Sequence, residues 1–225
     1  MIYPFNNIVV LSKELKFPSP LQASEEGLLA MGGDLSIERL LLAYKSGIFP
    51  WYSLGNPILW WSPNPRMVLY LDKLNVSKSL RQKINSNKFR ISFNTSFSDV
   101  ISNCASLKRK AEEGTWINSQ MKDAYVQMHK CGHALSVEVW EKDQLVGGLY
   151  GVDLPEQKVF CGESMFSKVS DASKIALYFL VEHLKKKMYR LIDCQIHSEH
   201  LERLGAEQIS RARFLNVLNG SDSRQ

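Results

Sequence analysis

From Ala134 onward the apolar residues recur with a period of two. Leu135, Val137 and Val139 alternate with polar neighbours, Asp143-Gln144 turns, Leu145 to Val152 returns, Asp153-Leu154-Pro155-Glu156 turns again, and Val159 to Glu163 comes back. Short alternating segments separated by turn residues predict an antiparallel meander. The pattern then becomes helical, with Ile175, Ala176, Phe179, Leu180 and Leu184 inward, Ser170 and Asp171 offered as caps, and Lys185-Lys186-Lys187 at the end where the helix dipole favours cations. The apolar strand Tyr189 to Ile196 follows, so strand, helix and strand predict a parallel crossover. A chain that joins a meander to a crossover builds a mixed sheet with helices, an α/β (α+β) fold.

At 225 residues and 44% hydrophobic, the chain can bury one good core or two small ones. Pro63-Asn64-Pro65 is the candidate junction between a small amino-terminal α/β domain, 1–65, and a larger domain, 66–225. Upstream, Ser36 caps a helix carrying Leu40, Leu41 and Tyr44, and Gly47 ends it. Phe49, Trp51, Tyr52, Trp60 and Trp61 then crowd into a stretch broken by Pro50, Gly55, Pro57, Pro63 and Pro65, which predicts irregular, rigid backbone. These aromatics suit either a core satellite or a stacking wall for a base or an aromatic side chain. Downstream, Val76, Leu80 and Ile84 mark a helical face, Phe89, Ile91 and Phe93 alternate as a strand, and Phe97 to Cys104 and Ser119 to Met128 are amphipathic. No apolar stretch reaches the roughly 18 residues of a membrane helix, and Met1 to Asn6 lacks the pattern of a signal peptide, so a cytoplasmic protein without a membrane partner is expected.

The four cysteines, Cys104, Cys131, Cys161 and Cys194, form no C-x-x-C pair, so they read as reduced thiols and no metal site is expected. Net charge is +5, and its placement matters more than its size. Lys73, Lys78, Arg81, Lys83, Lys88 and Arg90 lie in one segment without an acid, which accounts for the whole excess. A local positive stripe is a footprint for a polyanion, although a solvated helix face looks similar.

Two acids stand in apolar strands: Glu163 within Phe160 to Phe166, and Asp193 after Leu191-Ile192. A carboxylate taken out of water is costly unless it neutralises or meets a cation, which either this chain or a substrate can supply. Strand alternation sends Asp193 and Gln195 to one face and Cys194 to the other, an acid beside an amide that could hold an amine and help it shed a proton. A structural Asp–Gln pair at the sheet end is the alternative. The G-x-S-x-G elbow fails at Phe166, no phosphate-binding G-x-x-x-x-G-K-[ST] loop is present, and Gly32-Gly33 and Gly147-Gly148 lack dinucleotide spacing. A pre-activated substrate, used without ATP or another cofactor, is expected.

Gly27 to Ser36, Gly47-Ile48-Phe49-Pro50-Trp51, Trp60 to Arg66, Thr115-Trp116-Ile117, Leu145 to Gly151, Phe160 to Ser167 and Leu191 to Gln195, taken in order, resemble the bacterial leucyl/phenylalanyl-tRNA–protein transferases from about Phe17 to Leu215. The resemblance implies transfer of leucine or phenylalanine, and also methionine, from its tRNA to the α-amino group of proteins beginning with Arg or Lys, marking them for degradation. It implies a GNAT-like acyltransferase domain, with Asp193 and Gln195 activating the acceptor amine and Glu163 in the acceptor site. Trp51 and Trp116 fall near the terminal adenosine, and Phe160 in the aminoacyl pocket, for which Met165 and Leu177 are further candidates; Gly162 and Ser164 join this aminoacyl and adenosine set. Lys78, Arg81, Lys83, Lys88 and Arg90 would hold tRNA phosphates without reading sequence. Partners would be leucyl-, phenylalanyl- or methionyl-tRNA and the acceptor protein, bound by a monomer. Asp193→Asn is expected to lower transfer while leaving folding and tRNA binding nearly intact. Met188-Tyr189 stands where the family often has glycine. Two other readings fit less well: an acyl-CoA N-acyltransferase, which wants a Gly-rich pyrophosphate turn, and a binding module, which has no use for Asp193 beside Gln195.

Overall fold

A computed structural model describes residues 8–106 and 117–221. Four short strands form the amino-terminal sheet: β1 (Val9–Leu11), β2 (Leu28–Gly32), β3 (Phe49–Pro50) and β4 (Leu59–Trp61), in the order β1-β2-β4-β3. The stretch expected to be irregular therefore contributes two strands. Pro50 is tolerated because β3 is an edge strand, where a missing N–H costs no ladder bond. Of its tryptophans, Trp60 is core: it is fully buried, and its indole N–H donates to the carbonyl of Gly32.

Helix α1 (Ile37–Lys45) lies between β2 and β3, and Ser36 Oγ accepts from the Arg39 N–H as an N-cap. At its other end Gly47, with φ of 75°, closes a Schellman arrangement in which Ile48 N–H donates to Ala43 O and Gly47 N–H to Tyr44 O. A Cβ on Gly47 would lie 2.7 Å from the Leu215 side chain, so glycine is needed for packing as well as for backbone conformation.

The second sheet starts with β5 (Arg66–Tyr70) and continues through α2 (Lys78–Ile84), β6 (Phe89–Phe93), α3 (Phe97–Ala105) and α4 (Ser119–Lys130). The expected meander follows as β7 (Ala134–Glu141), β8 (Gln144–Leu154) and β9 (Val159–Ser167). Then come α5 (Ala172–Lys186), β10 (Leu191–Gln195), α6 (Glu199–Arg203), β11 (Glu207–Ile209) and α7 (Arg211–Leu218). The seven strands run β11-β5-β10-β9-β8-β7-β6; β9 and β10 are parallel, as a crossover requires, and the other pairs are antiparallel. This is the mixed α/β sheet expected.

Alternation divides the core between the two faces. Val137, Val139, Leu149 and Phe160 pack with Ile175, Ala176 and Leu180 of α5. Tyr150, Val152, Cys161 and Phe166 pack instead with α3, α4, the amino-terminal sheet and α7. The core is thus continuous across Pro63-Asn64-Pro65. Among the described residues, no helix is long and apolar enough to cross a membrane.

Asp171 does not cap α5 as expected. It adopts a left-handed φ of 68°, its side chain makes no capping bond, and its carboxylate takes Lys174 and Lys83 instead. Those two cations hold the Asp171 carboxyl down at about 2. Ser167 Oγ accepts the Ser173 N–H in its place.

Candidate active site

β9 and β10 pair only from Leu191↔Val159 to Asp193↔Cys161; beyond that point β9 runs on to Ser167 and the two strands part. Each carries a bulge just there. In β9, Tyr150 faces Ser164 and Gly151 faces Gly162, so Glu163 is the extra residue; in β10, Asp193 faces Val68 and Gln195 faces Met67, so Cys194 is extra. A bulge puts two successive residues opposite one and breaks the two-residue period.

The expected shared face for Asp193 and Gln195 is therefore not formed. A cavity of about 530 Å³ fills the gap between the strands; Cys194 and Gln195 both line it, and Asp193 does not. Asp193 is fully buried and bound by Arg66 at both oxygens, Nε to Oδ1 at 2.8 Å and Nη2 to Oδ2 at 2.7 Å. The cation it needs is internal. Arg66 is itself buried, donates from Nη1 to Gly47 O at 3.2 Å, and lies over the rings of Phe49 and Phe214 at 4.8 and 4.7 Å. Asp193 Oδ1 also accepts the Gln195 N–H at 3.0 Å, which fixes Gln195 at a left-handed φ of 66° that a non-glycine residue resists.

So oriented, the Gln195 amide donates from Nε2 to Glu163 Oε1 at 2.7 Å. Tyr44, in the last turn of α1, donates to the same oxygen at 2.8 Å, and Tyr125 of α4 donates to Oε2 at 2.9 Å. The two tyrosine hydroxyls also touch each other. Among the described residues no Lys or Arg forms an ion pair with Glu163, so all its partners are neutral. Burial pushes the Glu163 carboxyl up to about 7, outweighing the donors Tyr44, Tyr125 and Gln195 that pull it down, and the Asp193 charge adds to the rise. Burial, then the Glu163 charge, drives both tyrosine hydroxyls well above their ordinary range.

The rest of the wall is mostly apolar. Phe160, Met165, Leu177, Leu180 and Ile192 line the cavity, Gly162 and Ser164 flank Glu163, and Trp51 joins the lining with Phe49 and Pro50 from the amino-terminal region. Trp51 packs on Trp61, ring centres 5.6 Å apart, while the Trp61 N–H donates to Trp51 O at 2.7 Å. His197, Ser198, His200 and Leu201 line the side next to α6. Burial, then Lys174 and Arg203, lower the His200 pKa, which favours a neutral imidazole. Trp116 lies outside the described residues.

The basic stripe is partly matched by acids from distant sequence. Lys83 pairs with Asp171 and Lys88 with Glu141, Arg81 donates to the Tyr178 hydroxyl at 3.1 Å, and Arg90 lies over Trp140. Lys78, at the start of α2, is exposed.

Tyr44 and Tyr125 carry no local sign of being site residues, because each sits on an apolar helix face. Arg66 does leave a trace: a lone cation opening the apolar strand Arg66-Met67-Val68-Leu69-Tyr70 is the complement of the lone acid in β10.

The family described as leucyl/phenylalanyl-tRNA protein transferase matches residues 68–219, and its amino-terminal domain matches 33–64. Leucyl/phenylalanyl-tRNA–protein transferases from Flavobacterium johnsoniae and Flavobacterium psychrophilum are 56% and 54% identical to this chain, each over 92% of it and over 97% and 98% of their own length. A GCN5-related N-acetyltransferase from Kribbella flavida aligns with a TM-score of 0.38 and 8% identity, over 76% of this chain and 60% of that one. Matched by the family over most of its length, and more than half identical to relatives of nearly its own size, the chain belongs to the leucyl/phenylalanyl-tRNA–protein transferases, enzymes that move an aminoacyl group from tRNA to protein.

Proposed function

We propose that this enzyme, acting in the cytoplasm, transfers leucine, phenylalanine or methionine from tRNA to the α-amino group of proteins that begin with Arg or Lys, and so exposes a new terminus that marks them for degradation. One observation carries the acceptor half: a carboxyl group in the wall of an apolar cavity with three neutral donors and, among the described residues, no cation of its own. An Arg or Lys side chain supplies the missing charge. The donor half rests on the apolar lining of Phe160, Met165 and Leu177, which suits aliphatic and aromatic side chains alike. Such a pocket discriminates weakly, since one methylene is worth only about 1 to 3 kcal/mol. Trp51 offers a ring for the terminal adenine, with Trp116 assigned beside it from the resemblance. The stripe of Lys78, Arg81, Lys83, Lys88 and Arg90 holds phosphates.

An ionised carboxylate can only accept hydrogen bonds, so Gln195 Nε2 faces Glu163 and its carbonyl oxygen is left for the incoming amine. The amine nitrogen attacks the ester carbonyl carbon, the C–N bond forms, the C–O bond to the ribose breaks, and the proton lost by nitrogen ends on the ribose oxygen. The ester is already activated, so positioning supplies most of what is needed; well-oriented reactions gain up to about 7 to 11 kcal/mol in favourable cases. Gln195 touches the reacting groups, whereas Asp193 and Arg66 act through it as positioning residues. The test is transfer from leucyl-, phenylalanyl- and methionyl-tRNA to peptides beginning with Arg, Lys or Ala, read by product mass. Modification of the Arg and Lys peptides but not the Ala peptide is expected. Equal modification of all three would refute the acceptor assignment.

A further inference from the structure

The oxygens around Glu163 form a closed triangle. Tyr44 OH meets Tyr125 OH, Tyr44 OH meets Oε1 at 2.8 Å, and Tyr125 OH meets Oε2 at 2.9 Å. Each of these three contacts needs one proton between its oxygens. Two neutral tyrosines bring two protons, and nothing else in the triangle brings one. With the carboxyl ionised, both hydroxyls point at it and their own contact holds no proton, so two oxygens face each other with lone pairs. With the carboxyl protonated, every contact is filled: Oε2–H donates to Tyr125, Tyr125 donates to Tyr44, and Tyr44 donates to Oε1. Gln195 Nε2 already donates to Oε1, which leaves Oε2 as the oxygen that carries the proton.

We propose that the unliganded site stores one proton in the ring of Glu163, Tyr44 and Tyr125, and that a cationic acceptor side chain is captured by displacing it. The inference rests on the acceptor role given to Glu163 above. The surroundings support it. Tyr44 and Tyr125 are fully enclosed and Glu163 is only 9% exposed, so an ionised carboxyl there would be a nearly dry charge. Among the described residues, the titratable groups facing the ring are Tyr150 from β8, Cys161 from β9 and Asp193 from β10, whose charge is held by Arg66 of β5; His197 and His200 stand across the cavity. Burial places the carboxyl near 7, so the exchange falls within the physiological range.

The stored proton also sharpens acceptor choice. A neutral side chain cannot compensate an ionised Glu163, so the ring stays closed against it. An ammonium or guanidinium opens the ring: the proton leaves to solvent, both tyrosines turn to the carboxylate, and the cation takes the remaining acceptor site on Oε2.

Infrared difference spectra of the full-length protein test this directly. At pH 6, wild type is expected to show the carbonyl stretch of one protonated carboxyl that Glu163→Gln lacks, and this band should fade as the pH rises through about 7. A carboxy-terminally amidated peptide beginning with Arg should abolish the band at pH 6 and release close to one proton per peptide bound, whereas the same peptide beginning with Ala should leave it. Identical wild-type and Glu163→Gln spectra at pH 6 would overturn the stored proton whatever the acceptor is. A band that survives saturating Arg peptide, in an enzyme that still transfers leucine to that peptide, would overturn the displacement while leaving the acceptor assignment standing. If the band appears at pH 6 but no Arg peptide is ever modified, the acceptor assignment falls and takes displacement by a cation with it.

Discussion

Replacing Glu163 by glutamine should stabilise this protein at high pH and leave it nearly unchanged at low pH. A glutamine mimics the protonated acid: its amide N–H2 can donate to Tyr125 where Oε2–H did, and its carbonyl can accept from Tyr44 and Gln195. In wild type the folded state holds the Glu163 proton up to about 7, while the unfolded chain releases it near 4.5. The folded state therefore binds the proton more tightly, and stability falls as pH rises between those values. At about 1.4 kcal/mol per pH unit the full window amounts to about 3 kcal/mol. Urea unfolding of both proteins at pH 5, 6, 7 and 8 would check it. The stability of Glu163→Gln relative to wild type should climb from pH 5 to 7 and then level off. Two parallel stability curves would refute the reasoning, because they would mean that Glu163 has the same affinity for its proton folded and unfolded.

Arg66→Met should cost about 3 to 5 kcal/mol in chemical denaturation, since it leaves Asp193 as an unpaired buried charge, and adding Asp193→Leu should recover much of that loss. A single-variant cost below about 1 kcal/mol would show that solvent reaches the pair. For the same reason Asp193→Asn should lower the melting temperature as well as transfer, which revises the sequence-based expectation of intact folding. Gly151→Ala should destabilise by about 1 to 3 kcal/mol, because its Cβ would stand 2.1 Å from Cys161 O and 2.6 Å from the Phe160 ring; an unchanged urea midpoint would show that β8 and β9 can separate there. Lys78→Ala with Arg81→Ala should weaken tRNA binding and reduce its salt slope by about 1 for each phosphate that is no longer neutralised, read by titration at several salt concentrations. Binding unchanged at every salt would remove these two residues from the interface.

The meander and crossover were legible because strand alternation and turn residues are local signals, and the elements from β7 to β10 follow them closely. Glu163 and Asp193 were legible as anomalies for the same reason, an acid where only apolar residues pack. Register was not legible. One extra residue in β9 and one in β10 reset the alternation just where the chemistry sits, and no turn residue or glycine marks Cys194 as a bulge. The partners of the two acids come from 119 and 127 residues away along the chain, Tyr44 for Glu163 and Arg66 for Asp193, so only the fold could match them. The same holds for the stripe, whose acids Asp171 and Glu141 arrive from the turn before α5 and from β7. Pro50 signalled a break where the chain instead forms an edge strand, since an edge forgives a missing donor.

The cavity has walls of unequal persistence. One side consists of central strands, with Phe160 and Ile192 buried in the middle of a seven-stranded sheet, and the other includes α6, five residues long with none of them buried. Amide hydrogens of the first should exchange with solvent only when the whole protein unfolds, and those of α6 through local opening at far lower free energy. The pocket is thus anchored along one edge and can breathe along the other, so a substrate bound in it would register as slowed exchange at Ser198 to Leu201 long before any change is seen at Phe160.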